Sequence, residues 1–192
     1  GKGFSIPFPR ATHAKPTAYG ALHAWRSLRD AIWKIDEPVT LQESWLKGGP
    51  RRADWHVVRD IQAQTNSRLQ AAKPGKTWLA VDEGIRPKCH RGGYNGFTNV
   101  YGRMSWKQTP VTITGGCTTA CKGRFGHPDA RRTTISVREA ALIQTFPRKY
   151  RFETDHMEAV CDMIGNAVPP HFAAIIGRQI LRILRRRESL AG

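Results

Sequence analysis

The segment Ser136-Val137-Arg138-Glu139-Ala140-Ala141-Leu142-Ile143-Gln144-Thr145-Phe146-Pro147 decides the architecture. Ser136 and Glu139 stand at capping-box spacing, so each can satisfy the other's free backbone N–H at a helix start. An amphipathic helix is therefore expected through Ala140, Ala141, Leu142 and Ile143, and Pro147 must stop it. Further along, Ile164-Gly165-Asn166-Ala167-Val168-Pro169-Pro170 reads as a tight Gly-Asn turn before a helix that starts on proline. Phe172, Ile175, Ile176, Gln179, Ile180, Ile183 and Leu184 follow at helical spacing, with a strongly basic outer face that ends in Arg185-Arg186-Arg187. Upstream, Ser27-Leu28-Arg29-Asp30 opens a short helix, and one further helix is expected within 54–72. Phe97 to Tyr101 and Val111 to Thr114, set off by Gly92-Gly93 and Gly115-Gly116, read as two short strands. Residues 4–15, with Pro7 and Pro9, cannot sustain a helix and read as extended chain. The fold class is α/β, of the mixed α+β kind.

The chain has 192 residues, 40% of them hydrophobic and 24% charged, and a net charge of +16. That is enough for a sizeable core and far more positive charge than solubility requires, so a polyanion is the expected partner, nucleic acid before an anionic membrane. No apolar run in the sequence approaches the roughly twenty residues of a membrane span. Four cysteines without a signal peptide fit a reducing interior, and disulfides are not expected. Cys117-Thr118-Thr119-Ala120-Cys121 with His127, and Cys89-His90, are donor types for zinc. They lack the second matching pair of a structural site, so no metal is expected.

Three blocks in order carry a family resemblance. Tyr101-Gly102-Arg103-Met104-Ser105-Trp106 with Pro110-Val111-Thr112-Ile113-Thr114 is similar to the end of the target-recognition domain of DNA cytosine-5 methyltransferases. Arg132 with the Ser136–Pro147 block resembles that family's motif IX, and Ile164–Pro170 resembles its motif X. Pro9 to His13 is similar to the stretch after motif VIII. The resemblance implies an extended leading segment at 1–19, a small DNA-recognition domain at 20–129, and motif IX and X helices at 130–192 that complete a doubly wound methyltransferase domain. It also implies S-adenosylmethionine as cofactor, double-stranded DNA as partner, restriction-modification as setting and the cytoplasm as location. The reaction would be methyl transfer to C5 of a cytosine flipped from the stack.

The family's chemistry also uses a glycine-rich cofactor loop, a Pro-Cys nucleophile, a Glu-Asn pair and a Gln-x-Arg-x-Arg segment. None occurs in these 192 residues; the cysteines follow Lys88, Gly116, Ala120 and Val160. No catalytic residue is therefore assigned, and a catalytic half carrying these motifs is the expected second partner. Arg103, Lys107, Lys122 and Arg124 are candidate DNA contacts, since arginine reads guanine edges and lysine holds phosphates. Read without the resemblance, Arg103, Lys107 and Trp106 are ordinary surface and core residues of a β unit. The family's threonine-aliphatic dipeptide adds Thr112 and Ile113. Asn166 and Ala167 match positions bordering the S-adenosylmethionine pocket, and Arg138 and Glu139 are assigned to the scaffold. Rival readings are a stand-alone DNA-binding module without catalysis and a zinc-dependent nucleic-acid adaptor.

Overall fold

A computed structural model describes residues 7–15, 22–94 and 96–191, with residues 187–191 described by backbone alone. It forms two compact units, Arg26–Ala167 and a second made of Gly1–Trp25 with Val168–Gly192.

In the larger unit the helices start where side chains can cap them. Helix α1 (Leu28–Ile32) begins after Ser27, whose backbone N–H donates to Asp30 Oδ2 at 2.7 Å. Helix α2 (Leu41–Leu46) follows Thr40, which accepts from the Glu43 N–H at 3.2 Å and donates its own N–H to Glu43 Oε2 at 2.9 Å. This Thr-x-x-Glu box is legible in the sequence. Helix α3 (Ala63–Ala71) occupies only the second half of the expected 54–72 helix. The first half is taken by a turn and by strand β4 (Val57–Val58), which pairs in parallel with β3 (Val39–Thr40), Val39 opposite Val57. Asp54 and Trp55 have φ of +51° and +56°, a left-handed pair that no helix can contain.

Helix α4 (Val137–Ile143) is the opening block of the sequence analysis and the centre of this unit, packing against α1, β4 and helix α5 (Met157–Asn166). Its cap is reciprocal: Ser136 Oγ accepts from the Glu139 N–H at 3.1 Å, and Glu139 Oε2 accepts from the Ser136 N–H at 2.8 Å. Thr145, at φ +67°, turns the chain out of the helix ahead of Phe146-Pro147. Leu28, Ile32, Ile135, Ala140, Ala141, Val160 and Ile164 are buried together in the core. Helix α5 corrects the sequence reading: Gly165 and Asn166 form its last turn, not a turn of their own. Met157, Val160, Cys161 and Ile164 recur at i, i+3, i+4 and i+7, and all four are buried.

The two strands expected at 97–101 and 111–114 do not form. Phe97–Tyr101 lies in an irregular segment, and Val111–Thr114 is extended without a ladder partner. In the second run Ile113 alone is buried, and helix α5 covers it. Gly165 of α5 approaches so closely that an added Cβ would overlap the carbonyl carbon of Thr114 and the Gly115 amide. Between 73 and 134 the chain is joined by single-residue bridges, Pro74 to Arg103, Arg103 to Gly126 and Gly126 to Thr134, and by short 3-10 turns at Trp78–Ala80, Lys88–His90 and Ala120–Lys122.

The smaller unit holds a parallel pair, β1 (His13–Ala14) with β2 (His23–Ala24), and helix α6 (Pro170–Ala191). Of the α6 stripe, Phe172, Ile175 and Leu184 are exposed and Ile176, Ile180 and Ile183 half-buried. The apolar stretch Met157–Arg186 has the length and composition of a membrane span, but it is broken between α5 and α6 and carries Glu158, Asp162, Arg178 and Arg182. The architecture is mixed α/β, with helices dominant and both sheets among the described residues two-stranded.

The α5 contact gives a direct test. Gly165→Ala forces a methyl group into backbone that cannot turn aside, an overpacking that costs about 1–3 kcal/mol. The midpoint of urea unfolding should fall accordingly, with an unchanged m-value.

Candidate nucleic-acid interface

The irregular 73–127 segment is held by its own side chains. Trp78, His90, Tyr94 and Tyr101 form an aromatic cluster, with the His90 ring 4.7 Å from Trp78, 4.5 Å from Tyr94 and 5.7 Å from Tyr101. Burial, aided by Arg68, holds the His90 pKa below its ordinary value. Above this base stands Phe97. Its N–H donates to Tyr94 Oη at 3.1 Å and its carbonyl accepts from Trp78 Nε1 at 3.2 Å, while the residue is 71% exposed. Tyr94 and Phe97 line a groove of about 580 Å³ with Gly115, Gly116, Lys122 and Asp162. Gly116 leaves room for the Lys122 stem; an added Cβ would sit 2.8 Å from Lys122 Cβ.

The six candidate DNA contacts therefore divide. Lys107, Thr112 and Lys122 are exposed. Ile113 is not: it is 3% exposed and belongs to the core, where α5 covers its strand-like run. Arg124 is half-buried, with Nη1 donating to the Gly75 carbonyl at 2.7 Å.

Arg103 requires the firmest correction, because it is fully buried and its guanidinium faces main chain instead of solvent. Nε donates to the Leu69 carbonyl at 2.6 Å, and Nη1 donates to the carbonyls of His127 (2.6 Å), Arg132 (2.9 Å) and Asp129 (3.1 Å). Nη2 reaches Ala130 O at 3.4 Å. A base edge cannot compete for these donors. Burial lowers the Arg103 pKa, and nearby Asp129 opposes the shift. Tyr94 and Phe97 are not among the residues the sequence singles out for DNA contact, although the glycines at 92, 93 and 96 mark a loop able to present them.

Arg138 and Glu139 are consecutive and buried, yet serve different parts of the chain. Arg138 Nη2 donates to Asp54 Oδ1 at 2.6 Å and to the Tyr150 carbonyl at 2.9 Å, and its Nε donates to the Asp54 carbonyl at 2.8 Å. Glu139 Oε1 accepts from Arg132 Nη2 at 2.7 Å and lies 3.8 Å from His127 Nε2. Burial, reinforced by Arg132 and Arg103, pushes the His127 pKa down to about 3. Asn166 is exposed and Ala167 half-buried where α5 ends.

The cysteines are scattered. Cys117 and Cys161 are buried, and the hydrogen-bonded Cys161 thiol together with burial raises the Cys117 pKa well above its ordinary value, which keeps that thiol protonated. Cys89 and Cys121 are exposed, and among the described residues no three His, Cys, Asp or Glu side chains gather as a metal site.

The sequence profile of the C-5 cytosine-specific DNA methylase family matches residues 27–182. The chain belongs to this family. It is 36% identical over 165 residues to the type II methylase M.HgiDII of Herpetosiphon aurantiacus, covering 83% of this chain and 44% of that protein. It is 40% identical over 97 residues to the type II methyltransferase M1.BsuMI of Bacillus subtilis, covering 50% of this chain and 22% of the relative. Against DNA (cytosine-5)-methyltransferase 3 of Arabidopsis thaliana identity is 29% over 97% of this chain and 15% of the relative. The chain thus spans less than half the length of these relatives.

Two stability measurements follow from these contacts. Arg103→Ala strips the donors from several buried carbonyls, a loss of about 3 kcal/mol or more that calorimetry should read as a lower Tm. In acid, the unfolded chain takes up a proton at the ordinary histidine pKa of 6.5, whereas folded His127 refuses it down to about 3. Stability contributed by neutral His127 is therefore complete above pH 6.5 and lost as the pH falls from there toward 3. Urea midpoints at pH 7 and pH 5 should differ less in His127→Gln than in the parent.

Proposed function

We propose that this chain is the DNA-recognition and C-terminal part of a DNA cytosine-5 methyltransferase, with recognition elements in 20–129 and motif IX and X elements in 130–192. The observation that supports this most is coverage: the family profile spans 27–182, while the residues contain no Pro-Cys and no Glu-Asn pair. The nucleophile would come from other polypeptide, either in the same protein or in a separate subunit. By itself the chain is inactive in this reading. C5 of cytosine becomes nucleophilic only after a thiolate adds at C6, and none of the four cysteines follows a proline as the family's nucleophile does.

Duplex DNA would lie along the Lys122 groove, with Lys107 and Lys122 on phosphates and Thr112 and Phe97 toward the bases. Arg124, half-buried with Nη1 on the Gly75 carbonyl, would add positive charge to the recognition region. Arg138 and Glu139 act as scaffold, joining the 54–55 turn, the 150 segment and Arg132 around α4. S-adenosylmethionine would supply the methyl group. Asn166, with its side chain exposed at the end of α5, and the Ala167 peptide would form one wall of its pocket, and no metal is part of this reading. The α6 stripe would rest on the catalytic domain, and the enzyme would work on DNA in the cytoplasm, as a restriction-modification methylase does.

Two experiments test the reading. Affinity for duplex DNA should fall steeply with salt, by a slope of about −0.9 in log K per neutralised phosphate, and Lys122→Ala should lower the slope by about one unit. A flat salt response would remove the DNA-recognition role. Transfer of labelled methyl groups should require both this chain and a polypeptide carrying the missing motifs, and Ile176→Glu with Ile180→Glu should abolish it while DNA binding persists. Methylation by this chain alone would refute the division of labour, and DNA binding without complementation by any such partner would favour a stand-alone binder.

A further inference from the structure

We propose that the hollow between the Arg51–Trp55 turn and the Arg151–Glu153 segment binds an oxyanion of the phosphate class. The hollow measures about 440 Å³ and shares no lining residue with the Lys122 groove. Its polar groups are unequally committed. Each nearby carboxylate already has a partner: Asp54 Oδ1 accepts from Arg138 at 2.6 Å, Asp155 accepts from Arg51 Nε at 2.8 Å, and Glu153 lies 3.6 Å from Arg51 Nη1. The donors at the hollow are less committed than these carboxylates.

Arg52 and Arg151 line the hollow, are exposed, and have no carboxylate partner among the described residues. Trp55 lines it too, yet is 1% exposed, and its indole Nε1–H is buried with no acceptor. Arg138 Nη1, on the side chain that grips Asp54, is also buried and unpartnered. Unpaired buried donors of this kind are rare because they forfeit hydration with nothing in return. The placement is enforced as well: Asp54 and Trp55 are both left-handed, and the turn is fixed by Trp55 N–H to Pro50 O (2.9 Å) and Arg138 N–H to Trp55 O (2.8 Å). Strain maintained by surrounding structure is characteristic of binding sites. Two guanidinium forks and an indole N–H, from segments nearly a hundred residues apart, ask for more acceptor oxygens than one carboxylate has. A phosphate group provides them. It can be free phosphate or a backbone phosphate of duplex DNA.

The test follows the indole N–H signals of the full 15N-labelled chain, which has six tryptophans, with Trp55 assigned by triple-resonance experiments and checked by Trp55→Phe. Inorganic phosphate should shift the Trp55 signal saturably. Arg52→Ala with Arg151→Ala, both at exposed sites, should raise the apparent Kd about tenfold or more, as expected when two charge-assisted donors are removed. Lys122→Ala should leave the phosphate response intact even where it weakens DNA binding, so the two readings can fail independently. A short duplex that moves the same signal and competes with phosphate identifies a DNA contact; a response to phosphate alone identifies a free-anion site. A Trp55 signal unmoved by phosphate and by duplex, or moved equally in the arginine double variant, overturns the proposal.

Discussion

The larger unit depends on one buried cation. Arg103 carries a full charge at zero exposure, and the charge is met by carbonyl dipoles from Leu69, His127, Asp129, Ala130 and Arg132 in place of a carboxylate. Those carbonyls belong to the end of α3 and to the chain leading into α4. Without the guanidinium, their lone pairs would be buried and the segments would lose their common anchor. The single bridges from Arg103 to Pro74 and Gly126 are too few to hold four passes of chain as a sheet would. The side chain does what a ladder of backbone hydrogen bonds does elsewhere.

Around this anchor, α4 distributes two further ties. Arg138 and Glu139 are adjacent in sequence and so leave the helix about 100° apart, which lets one reach Asp54 and Tyr150 and the other reach Arg132. Glu139 Oε1 also lies 3.8 Å from His127 Nε2, where burial and two arginines keep the imidazole neutral. A short helix with a perfect cap therefore fixes both the 54–55 turn and the chain that carries Arg103's carbonyl partners. Exposed Lys107, Thr112 and Lys122 extend from a frame that they do not themselves help to build.

Helix starts were legible because a cap is a local event: Ser27, Ser136 and Pro170 each announce a helix within four residues. Thr40 announced one as plainly, and so did the spacing of Met157, Val160, Cys161 and Ile164. The two expected strands fail to form for a physical reason. β-branched runs at 97–101 and 111–114 signal a half-buried extended chain, but whether a strand or a helix covers it is decided by distant residues, here by Gly165. Arg103 failed in the same way. An arginine in a Tyr-Gly-Arg sequence is identical on paper whether it faces DNA or five carbonyls, because its partners lie up to 34 residues away. The order of the three motif blocks carried the family, and burial had to come from the fold.

The charge of +16 also reads differently once its side chains are placed. Arg68, Arg86, Arg91, Arg103, Arg124 and Arg138 all donate to main-chain carbonyls, several of them within the irregular 79–91 stretch. A segment that presents loops instead of strands leaves carbonyls without ladder partners, and arginine, with five donors on a planar fork, can satisfy more of them than any other side chain. Such arginines still add to the long-range positive potential that draws a polyanion in. They have little left for reading a base edge, which takes two free and parallel donors. Net charge therefore measures attraction to a polyanion, while any discrimination between sequences would fall to the few side chains the frame leaves uncommitted.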